Sequence, residues 1–311
     1  MSTLPYTPTD WQVLGTNHYE LGESPFWQPV EQMLYWVDIP GKKILRAHPS
    51  HGQVESWDMP SEPGCIAPAT QGGLVIALRQ GIFRAPVWGG ALQPIATLPY
   101  DTSTVRANDG KCDTLGRFWV GTIDEPKARH AAELFSIDAR TGSAQVQRQA
   151  GDALTANGLA WSPDTRTLYW ADTPAHVVHA WDYELQANTL SRHRLHLQFP
   201  PKPAGWTFED RSYQGRPDGA AVDALGNYWV AMFEGRRVCQ FAPDGRLLQQ
   251  LETPAQCPTM PCFGGADLKT LYITSARHGR SPAELACFPD SGAVFFTRVQ
   301  TPGLPVNYFA D

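Results

Sequence analysis

The sequence contains no apolar segment long enough to cross a bilayer, and it offers little that would form helices. Its N-terminus, MSTLPYTPTDW, lacks the positively charged start and the apolar stretch of a secretory signal. No apolar pattern at helical spacing is sustained, and at most a turn or two of helix is expected, near Lys127 to Leu134. These absences predict a soluble, cytoplasmic protein with no membrane partner and little helix.

Runs of basic residues are also missing. The chain has 25 Lys and Arg against 31 Asp and Glu, which gives a formal net charge of −6. Binding to nucleic-acid phosphates needs a basic face, and the few basic clusters, such as Lys42-Lys43, have the composition of solvated turns. We therefore exclude nucleic acid as a partner.

The cysteine and histidine spacings of zinc sites are absent, and no catalytic triad is visible. Cys257 and Cys262 are the only close pair among the six cysteines, and their separation does not fit a zinc ribbon. The nine histidines show no metalloprotease motif. Because no secretory signal is visible, we expect the cysteines to be reduced thiols packed as small hydrophobic side chains.

What the sequence has instead is a repeat. Its 27 Gly and 27 Pro are spread along the chain, which suggests many turns between short strands, and 11 Trp, 13 Phe and 10 Tyr can supply a large core. Strand-like apolar pairs recur at intervals of 39 to 60 residues. These pairs are Tyr35-Trp36, Leu74-Val75, Trp119-Val120, Tyr169-Trp170, Trp229-Val230 and Tyr272-Ile273.

Six such units, each a small antiparallel sheet, predict an all-β fold: a six-bladed β-propeller that forms a single domain over residues 1–311. A pair of β-sandwiches would not explain six units, and a β-helix would need shorter and more regular rungs. We expect a C-terminal strand, Gly292 to Thr297, to close the ring by pairing with an N-terminal strand, because closure protects the edges of the end strands.

Four of the predicted blades begin with an oxygen-bearing side chain close to a glycine, and these side chains belong to Glu23, Asn108, Asn157 and Asp218. Asn-Gly and Asp-Gly pairs also form ordinary turns, so any one position alone indicates no more than a turn. In a propeller, however, equivalent loop positions meet near the central axis. Four positions in register with the blades therefore favour a shared site.

Glu23, Asn157 and Asp218 would offer a metal ion only oxygen ligands, two of them anionic. Hard cations such as Ca²⁺, Mg²⁺ or Mn²⁺ suit that set best, and Zn²⁺ is an alternative because carboxylates also bind it. Three protein ligands leave open positions for water and substrate, as a catalytic metal requires.

Five short motifs follow one another over nearly the entire chain: Leu21-Gly22-Glu23-Ser24-Pro25, Arg106-Ala107-Asn108-Asp109-Gly110-Lys111-Cys112-Asp113, Ala156-Asn157-Gly158, Pro217-Asp218-Gly219 and Cys262-Phe263-Gly264-Gly265. In this order they resemble the SMP-30/gluconolactonase/regucalcin family, and most of all its bacterial aldonolactonases. Members of that family are six-bladed propellers that bind one divalent metal ion and open sugar lactones.

The resemblance implies Glu23, Asn157 and Asp218 as ligands of one divalent ion, with Ca²⁺ favoured and Zn²⁺, Mn²⁺, Mg²⁺ or Fe as alternatives. It implies Arg106 and Asn108 as substrate contacts, and Asp218 also as the general base. The expected reaction hydrolyses a sugar lactone, such as a glucono-, xylono- or arabinonolactone, to the aldonic acid. The lactone carbonyl would be polarised by the ion while Asp218 accepts a proton from the attacking water.

Three features qualify the resemblance. Ser24 stands where the family usually has glycine, a change that should leave Glu23 in place. The loop after Thr122 is shortened, and the substrate contact made from this loop is assigned to Glu125. The long segment from Gln198 to Arg216 is expected to form a wall of the pocket.

Other functions fit the same fold. The propeller could be a phosphotriesterase-like hydrolase, which a second, structural Ca²⁺ in the channel would support. It could also be a non-catalytic calcium-binding regulator, or a scaffold whose loops bind protein. On the favoured interpretation, the partner is a small sugar lactone and the chain is a monomer or a dimer.

Overall fold

A computed structural model of the protein describes residues 4–311, which form short antiparallel strands almost throughout. The strands make six four-stranded sheets. The prediction of an all-β, six-bladed propeller is therefore confirmed.

The first strand, β1 (Gln12–Leu14), precedes blade 1. Blade 1 contains β2 (Gly22–Gln28), β3 (Met33–Asp38), β4 (Lys43–Ala47) and β5 (Val54–Asp58). Blade 2 contains β6 (Pro63–Pro68), β7 (Leu74–Leu78), β8 (Gly81–Ala85) and β9 (Gln93–Ala96). Blade 3 contains β10 (Val105–Cys112), β11 (Phe118–Asp124), β12 (Ala132–Asp138) and β13 (Gln145–Ala153).

Blade 4 contains β14 (Ala156–Trp161), β15 (Thr167–Asp172), β16 (Val177–Glu184) and β17 (Thr189–Gln198). Blade 5 contains β18 (Arg216–Val222), β19 (Tyr228–Phe233), β20 (Arg237–Phe241) and β21 (Leu247–Glu252). Blade 6 contains β22 (Pro258–Gly264), β23 (Thr270–Ser275), β24 (Val294–Arg298) and β1, and the helix α1 (Pro282–Cys287) lies between β23 and β24.

The first strand of each blade is the innermost one. Strands β2, β6, β10, β14, β18 and β22 each contact the corresponding strand of both neighbouring blades. They therefore line the central channel, and side chains at equivalent positions on them face one another across it.

The two ends of the chain meet in blade 6. Strand β1 pairs antiparallel with β24, with Gln12 opposite Phe296 and Leu14 opposite Val294. The predicted closure of the ring is confirmed, although the C-terminal strand spans Val294–Arg298 and not Gly292 to Thr297. This pairing gives β24 a partner on its outer side and removes an exposed edge.

The repeated apolar pairs of the sequence fall on the second strand of each blade. Trp36, Trp119 and Trp229 on these strands are at most 1% exposed. Strand β7 is buried at every position. Second strands are covered on both faces, so they appear in the sequence as short continuous apolar runs.

The expected helix near Lys127 to Leu134 is wrong. The Asp124 side chain accepts hydrogen bonds from the backbone nitrogens of Ala128 (2.8 Å) and Arg129 (2.9 Å), which holds this segment in turns. Strand β12 then begins at Ala132. Pairing with β13 thus takes the residues for which a helix was expected.

Helix occurs instead at α1, which is six residues long. Ser281 caps its N-terminus, because its side-chain oxygen accepts from the backbone nitrogen of Glu284 at 3.2 Å. No helix within residues 4–311 is long and apolar enough to cross a membrane.

The cysteines are free thiols, as predicted. Five of them are buried, as expected, but Cys287 is exposed, so the predicted packing is wrong for that residue. Burial raises the pKa of Cys257 to about 12, which keeps that thiol protonated and unreactive.

Candidate active site

The candidate site lies where the innermost strands begin. In all six of these strands, one extra residue interrupts the pairing with the second strand close to that end. A bulge of this kind bends the strand and redirects the side chains beside it. The bulges lie between Glu23 and Phe26, Pro63 and Cys65, Ala107 and Gly110, Asn157 and Ala160, Pro217 and Ala220, and Pro258 and Pro261.

Glu23, Asn108, Asn157 and Asp218 each lie at one of these bulges. All four are buried, with exposures between 3% for Asn157 and 7% for Asn108. They belong to the strands themselves and not to the loops before them. Turn-forming residue types at these positions thus mark bulges, which need the same unusual backbone conformations as turns.

A chain of hydrogen bonds links the starts of blades 3, 4 and 5. Arg106 Nη1 donates to Asn108 Oδ1 at 3.0 Å, and Asn108 Nδ2 donates to Asn157 Oδ1 at 2.9 Å. Asn157 Nδ2 donates to Thr173 Oγ1 at 2.8 Å, and that hydroxyl donates to the carbonyl oxygen of Pro217 at 2.7 Å. The chain sets the orientation of the Asn157 amide, because its nitrogen is held on Thr173.

Burial disfavours the ionised form of both Glu23 and Asp218. Burial, and after it the negative charges of Asp218 and Asp109, raises the pKa of Glu23 well above its usual value. Burial raises the pKa of Asp218 to about 8, although the positive charge of Arg216 opposes the rise. Two buried carboxyl groups in electrostatic range of each other are costly when both are ionised.

A divalent cation fits this arrangement. The part of the chain that the structure describes has no group of three or more His, Cys, Asp or Glu side chains that could hold a metal ion. The predicted set is of another kind, with two carboxylates and one amide oxygen. Glu23 Oε2 is buried and has no hydrogen-bond partner within residues 4–311, so it is an acceptor without a donor. A hard cation would satisfy that oxygen and offset both negative charges.

Arg106 and Glu125 meet beside this set. The Arg106 side chain is buried, and its Nε lies 3.4 Å from Glu125 Oε1. Arg79 holds the same carboxylate with two hydrogen bonds of 2.8 and 2.9 Å. The side-chain hydrogen bond from Arg79 is the largest cause that lowers the pKa of Glu125. Glu125 is therefore an ionised group at the edge of the site, while its contact with substrate remains a prediction.

Sequence reasoning missed Thr173 and Arg216. Thr173 follows β15 in a turn and has no motif of its own. Arg216 begins β18, and its Nη1 lies 2.9 Å from Glu234 Oε2. A signal for Arg216 was present, because an arginine precedes Asp218 by two residues just as Arg106 precedes Asn108.

Ser24 shows why glycine is expected after the glutamate. Its φ of 49° lies in the left-handed region, as does the φ of 60° at Gly158 on the equivalent bulge. The Ser24 hydroxyl accepts a hydrogen bond from the backbone nitrogen of Ile66 at 3.0 Å, which helps to hold this strained position. The serine thus keeps the same bulge beside Glu23.

The other half of the channel is mostly apolar. A cavity of about 280 Å³ lies there, lined by the later residues of the innermost strands and by Leu304 and Pro305 of the C-terminal segment. Lys111 also lines it, and its Nζ donates to the carbonyl oxygens of Leu159 (2.9 Å) and Ala220. The ammonium group of Lys111 therefore already pairs with carbonyl oxygens that could otherwise be ligands of a second cation in the channel.

The segment between β17 and β18 forms no strand and packs beside the site. Lys202 Nζ lies 2.9 Å from Glu234 Oε1, and the Tyr213 hydroxyl lies 2.7 Å from His176 Nε2. These contacts hold the segment near the start of β18. Its predicted role as a wall of the pocket remains a prediction.

Similar proteins agree with this architecture. The family described as SMP-30/Gluconolactonase/LRE-like region matches residues 21–277. A 6-deoxy-6-sulfogluconolactonase from Pseudomonas putida is 42% identical, over 93% of this chain and 95% of that protein. The regucalcin of Oryctolagus cuniculus is 32% identical, over 93% of this chain and 94% of that protein.

Among solved structures, a calcium-binding protein, regucalcin, from Agrobacterium tumefaciens superposes with a TM-score of 0.90. It covers 99% of both chains at 22% identity, so this likeness supports the fold alone. The match to the family extends from the start of blade 1 into blade 6 and takes in every bulge of the candidate site. The chain therefore belongs to the SMP-30/gluconolactonase/LRE-like family.

Proposed function

We propose that the protein is a divalent-metal-dependent lactonase that opens a sugar lactone to its aldonic acid. The observation that carries this proposal is the buried pair Glu23 and Asp218, in which Glu23 has an unpartnered carboxylate oxygen and Asp218 is within reach of the Asn157 amide. One of the relatives supports the chemistry by name, as a 6-deoxy-6-sulfogluconolactonase.

Glu23, Asn157 and Asp218 would hold the ion, for which Ca²⁺ is favoured and Zn²⁺, Mn²⁺, Mg²⁺ or Fe are alternatives. When bound, the ion supplies Lewis-acid polarisation of the lactone carbonyl. The three oxygens come from three different blades, so the rigid propeller sets their spacing before substrate arrives.

Asp218 is the proposed general base. It is the second acidic ligand, and its buried carboxylate would lie next to a water molecule near the ion, from which it could accept a proton. A water molecule that loses its proton to Asp218 attacks the carbonyl carbon, and the ring oxygen leaves with a proton to give the aldonic acid.

Arg106 and Asn108 would position the substrate. Arg106 is buried and keeps an ion pair with Glu125, so its guanidinium is fixed before substrate binds. Positive charge held at this point can stabilise the developing oxyanion or bind sugar hydroxyls, and positioning of this kind is worth several kcal/mol. Glu125 is the further proposed contact to a hydroxyl.

A panel assay tests the proposal. The purified protein is treated with a chelator, reloaded with Ca²⁺, Mn²⁺, Mg²⁺ or Zn²⁺ in turn, and assayed on glucono-, xylono- and arabinonolactone and on an organophosphate triester. We expect lactone hydrolysis that the chelator abolishes and an ion restores. Full lactonase activity in the metal-free protein would falsify the metal requirement.

The same panel separates the alternatives. Triester hydrolysis without lactone hydrolysis would indicate a phosphotriesterase, which the ammonium of Lys111 in the channel disfavours because it occupies two carbonyl oxygens there. Tight Ca²⁺ binding with no turnover of any substrate would indicate a non-catalytic regulator.

A further inference from the structure

The start of the innermost strands forms a second layer above the predicted metal ligands. Side chains two residues apart on a strand point to the same face. Leu21, Arg106, Thr155 and Arg216 stand two residues before Glu23, Asn108, Asn157 and Asp218, respectively. We call these four residues the outer layer, and they lie about 6–7 Å further toward the mouth of the channel.

Two residues of the outer layer are arginines. Arg106 and Arg216 belong to blades 3 and 5, with blade 4 between them. On blade 4, the Thr155 hydroxyl is buried and has no hydrogen-bond partner in the described part of the chain. A layer with two guanidinium groups and an unsatisfied hydroxyl is built for a polar ligand.

The charge of Arg216 is only partly neutralised. Its Nη1 lies 2.9 Å from Glu234 Oε2, but Glu234 is shared with Lys202 at 2.9 Å and Arg280 at 3.1 Å. Glu284 pairs with Arg280 at 2.7 Å and is the other acid in this cluster. Three cations therefore meet two carboxylates of this cluster. The third acid near Arg216 is Asp218, and a bound cation would offset its charge, which leaves Arg216 with a positive charge that is only partly neutralised.

The position of Arg216 is fixed without substrate. Its guanidinium carbon lies 5.0 Å from the centroid of the Phe233 ring, and Arg216 pairs with Phe233 across the β18–β19 register. The Glu234 carboxylate contacts the same guanidinium group through its Nη1 atom. A guanidinium held by a ring and one carboxylate loses little entropy when it binds a second anion.

Lys127 adds a further cation at the same mouth. It lies in the turn after β11 with a φ of 53°, and it forms no ion pair within residues 4–311. The residue as a whole is exposed, yet partial burial of its ammonium group and then the charge of Arg216 lower its pKa, while Asp218 raises it. Lys127 comes two residues after Glu125, whose carboxylate lies 3.4 Å from Arg106 of the outer layer, so it stands at the same mouth of the channel.

We propose that Arg216 and Lys127 form a subsite for an anionic group of the substrate. The lactone that the site prefers then carries a sulfonate, phosphate or carboxylate at the end of the sugar remote from its carbonyl. This inference rests on the proposed function, because the lactone carbonyl must lie in the layer of Asp218 for the anionic group to reach the outer layer.

The experiment compares kcat/KM for glucono-1,5-lactone with that for the same lactone bearing a phosphate, a sulfonate or a carboxylate at carbon 6. Arg216→Met should lower the ratio of charged to neutral kcat/KM by roughly ten- to a hundredfold, the worth of a charge-assisted hydrogen bond. Lys127→Met should lower it by about threefold to tenfold, because its ammonium is more exposed. The charged lactone whose kcat/KM falls most in Arg216→Met identifies the anionic group that the subsite prefers.

Two controls keep the test specific. Arg192→Met removes the same charge from an arginine on the outermost strand of blade 4 that is 84% exposed and pairs with Asp182, so the ratio of charged to neutral kcat/KM should stay at the wild-type value. Arg216→Lys should recover part of the loss. Raising the salt concentration should reduce the rate on charged lactones more than the rate on the neutral one, because it shortens the range of the electrostatic interaction.

Binding of products separates this inference from the proposed function. Calorimetric titration with 6-phosphogluconate and with gluconate measures binding without turnover. The wild type should bind 6-phosphogluconate with a lower Kd than gluconate, and the ratio of the two Kd values should be closer to one in Arg216→Met. If lactones are not hydrolysed but this preference holds, the anionic subsite stands and the lactonase proposal fails. An unchanged ratio in folded Arg216→Met and Lys127→Met, with no preference in binding, overturns the subsite. Should Arg216→Met not fold, Lys127→Met decides by itself.

Discussion

Asn108 Nδ2 donates a hydrogen bond of 2.9 Å to Asn157 Oδ1, although the two residues lie on different blades. The amide oxygen of Asn108 accepts from Arg106 at 3.0 Å, and its nitrogen also reaches the carbonyl oxygen of Ala156 at 3.0 Å. A residue expected to contact substrate is thus bonded to one expected to hold the ion. The two roles are coupled through this pair of amides.

Asn108→Ala should weaken binding of the ion as well as catalysis. Without its donor, the Asn157 amide is held on one side only, and the loss of one buried hydrogen bond corresponds to about a threefold to tenfold rise in the Kd for Ca²⁺ or Mn²⁺. Calorimetric titration of the metal-free protein measures that Kd. Arg106→Met leaves the bond between the two asparagines in place and should change the Kd less. A wild-type Kd in Asn108→Ala would show that Asn108 acts on substrate alone.

Thr173 offers a sharper test of the same chain. Its hydroxyl accepts from Asn157 Nδ2 and donates to the Pro217 carbonyl oxygen, so Thr173→Val leaves both groups buried without partners. Residues that orient a ligand typically change metal affinity by about ten- to a hundredfold when replaced.

Thr173→Ser keeps the hydroxyl and should bind the ion with an affinity near that of the wild type. Thermal unfolding of both variants in the metal-free form shows whether the fold itself is weakened. If Thr173→Val lowers the unfolding temperature but binds the ion normally, Thr173 supports the fold and does not position Asn157.

Much of the architecture could be predicted because the repeat is local. Tyr35-Trp36 and Trp229-Val230 lie on second strands, whose burial on both faces produces apolar pairs that are visible in the sequence. Glu23, Asn157 and Asp218 were visible for a related reason, because bulges use the residue types of turns.

The remaining parts depend on contacts between distant residues. Thr173 is 44 residues from Pro217, and nothing near it in sequence indicates that its hydroxyl joins blades 4 and 5. Arg216 is marked only by its spacing from Asp218, which has meaning once the strand is known. The helix α1 was not predicted for a different reason. Ser281, Pro282 and Glu284 form a recognisable pattern for the start of a helix, but six residues are too few to show apolar periodicity.

Binding of the ion should release protons near neutral pH. Because burial raises the pKa of Glu23 and of Asp218, the metal-free protein holds protons on these carboxyl groups that a cation must displace. As pH rises through about 8, Asp218 loses its proton in the metal-free protein, so binding of the ion releases fewer protons and the apparent affinity for the ion increases. Because the pKa of Asp218 is raised in the folded state, the metal-free fold also loses stability as pH rises from about 4, the ordinary carboxyl value, to about 8.

Calorimetric titration with Ca²⁺ in two buffers of different ionisation enthalpy counts the released protons. The count should be larger at about pH 6 than at about pH 9. An equal count at both values would mean that neither carboxyl group is protonated in the metal-free protein. Thermal unfolding over the same pH range, with and without Ca²⁺, should show a stabilisation by the ion that grows with pH.

Asp218→Asn separates the proposed base from the proposed ligand. The asparagine keeps an oxygen that can still reach the ion but loses the negative charge and the proton acceptor. General-base catalysis typically contributes about a hundred- to ten-thousandfold, so kcat should fall by that factor while part of the metal remains bound. Arg106→Ala should instead act partly on KM, because Arg106 is proposed to position substrate.

The matched control is Asp244→Asn, the same substitution on the same blade at a side chain that is 69% exposed in the turn between β20 and β21. Its kinetics should equal those of the wild type, which excludes an effect of net charge. Steady-state rates measured beside the metal content of each purified variant decide the outcome. Metal retained with activity lost assigns the base to Asp218, whereas near wild-type turnover would reduce Asp218 to a residue that shapes the bulge, a role that asparagine fills equally well.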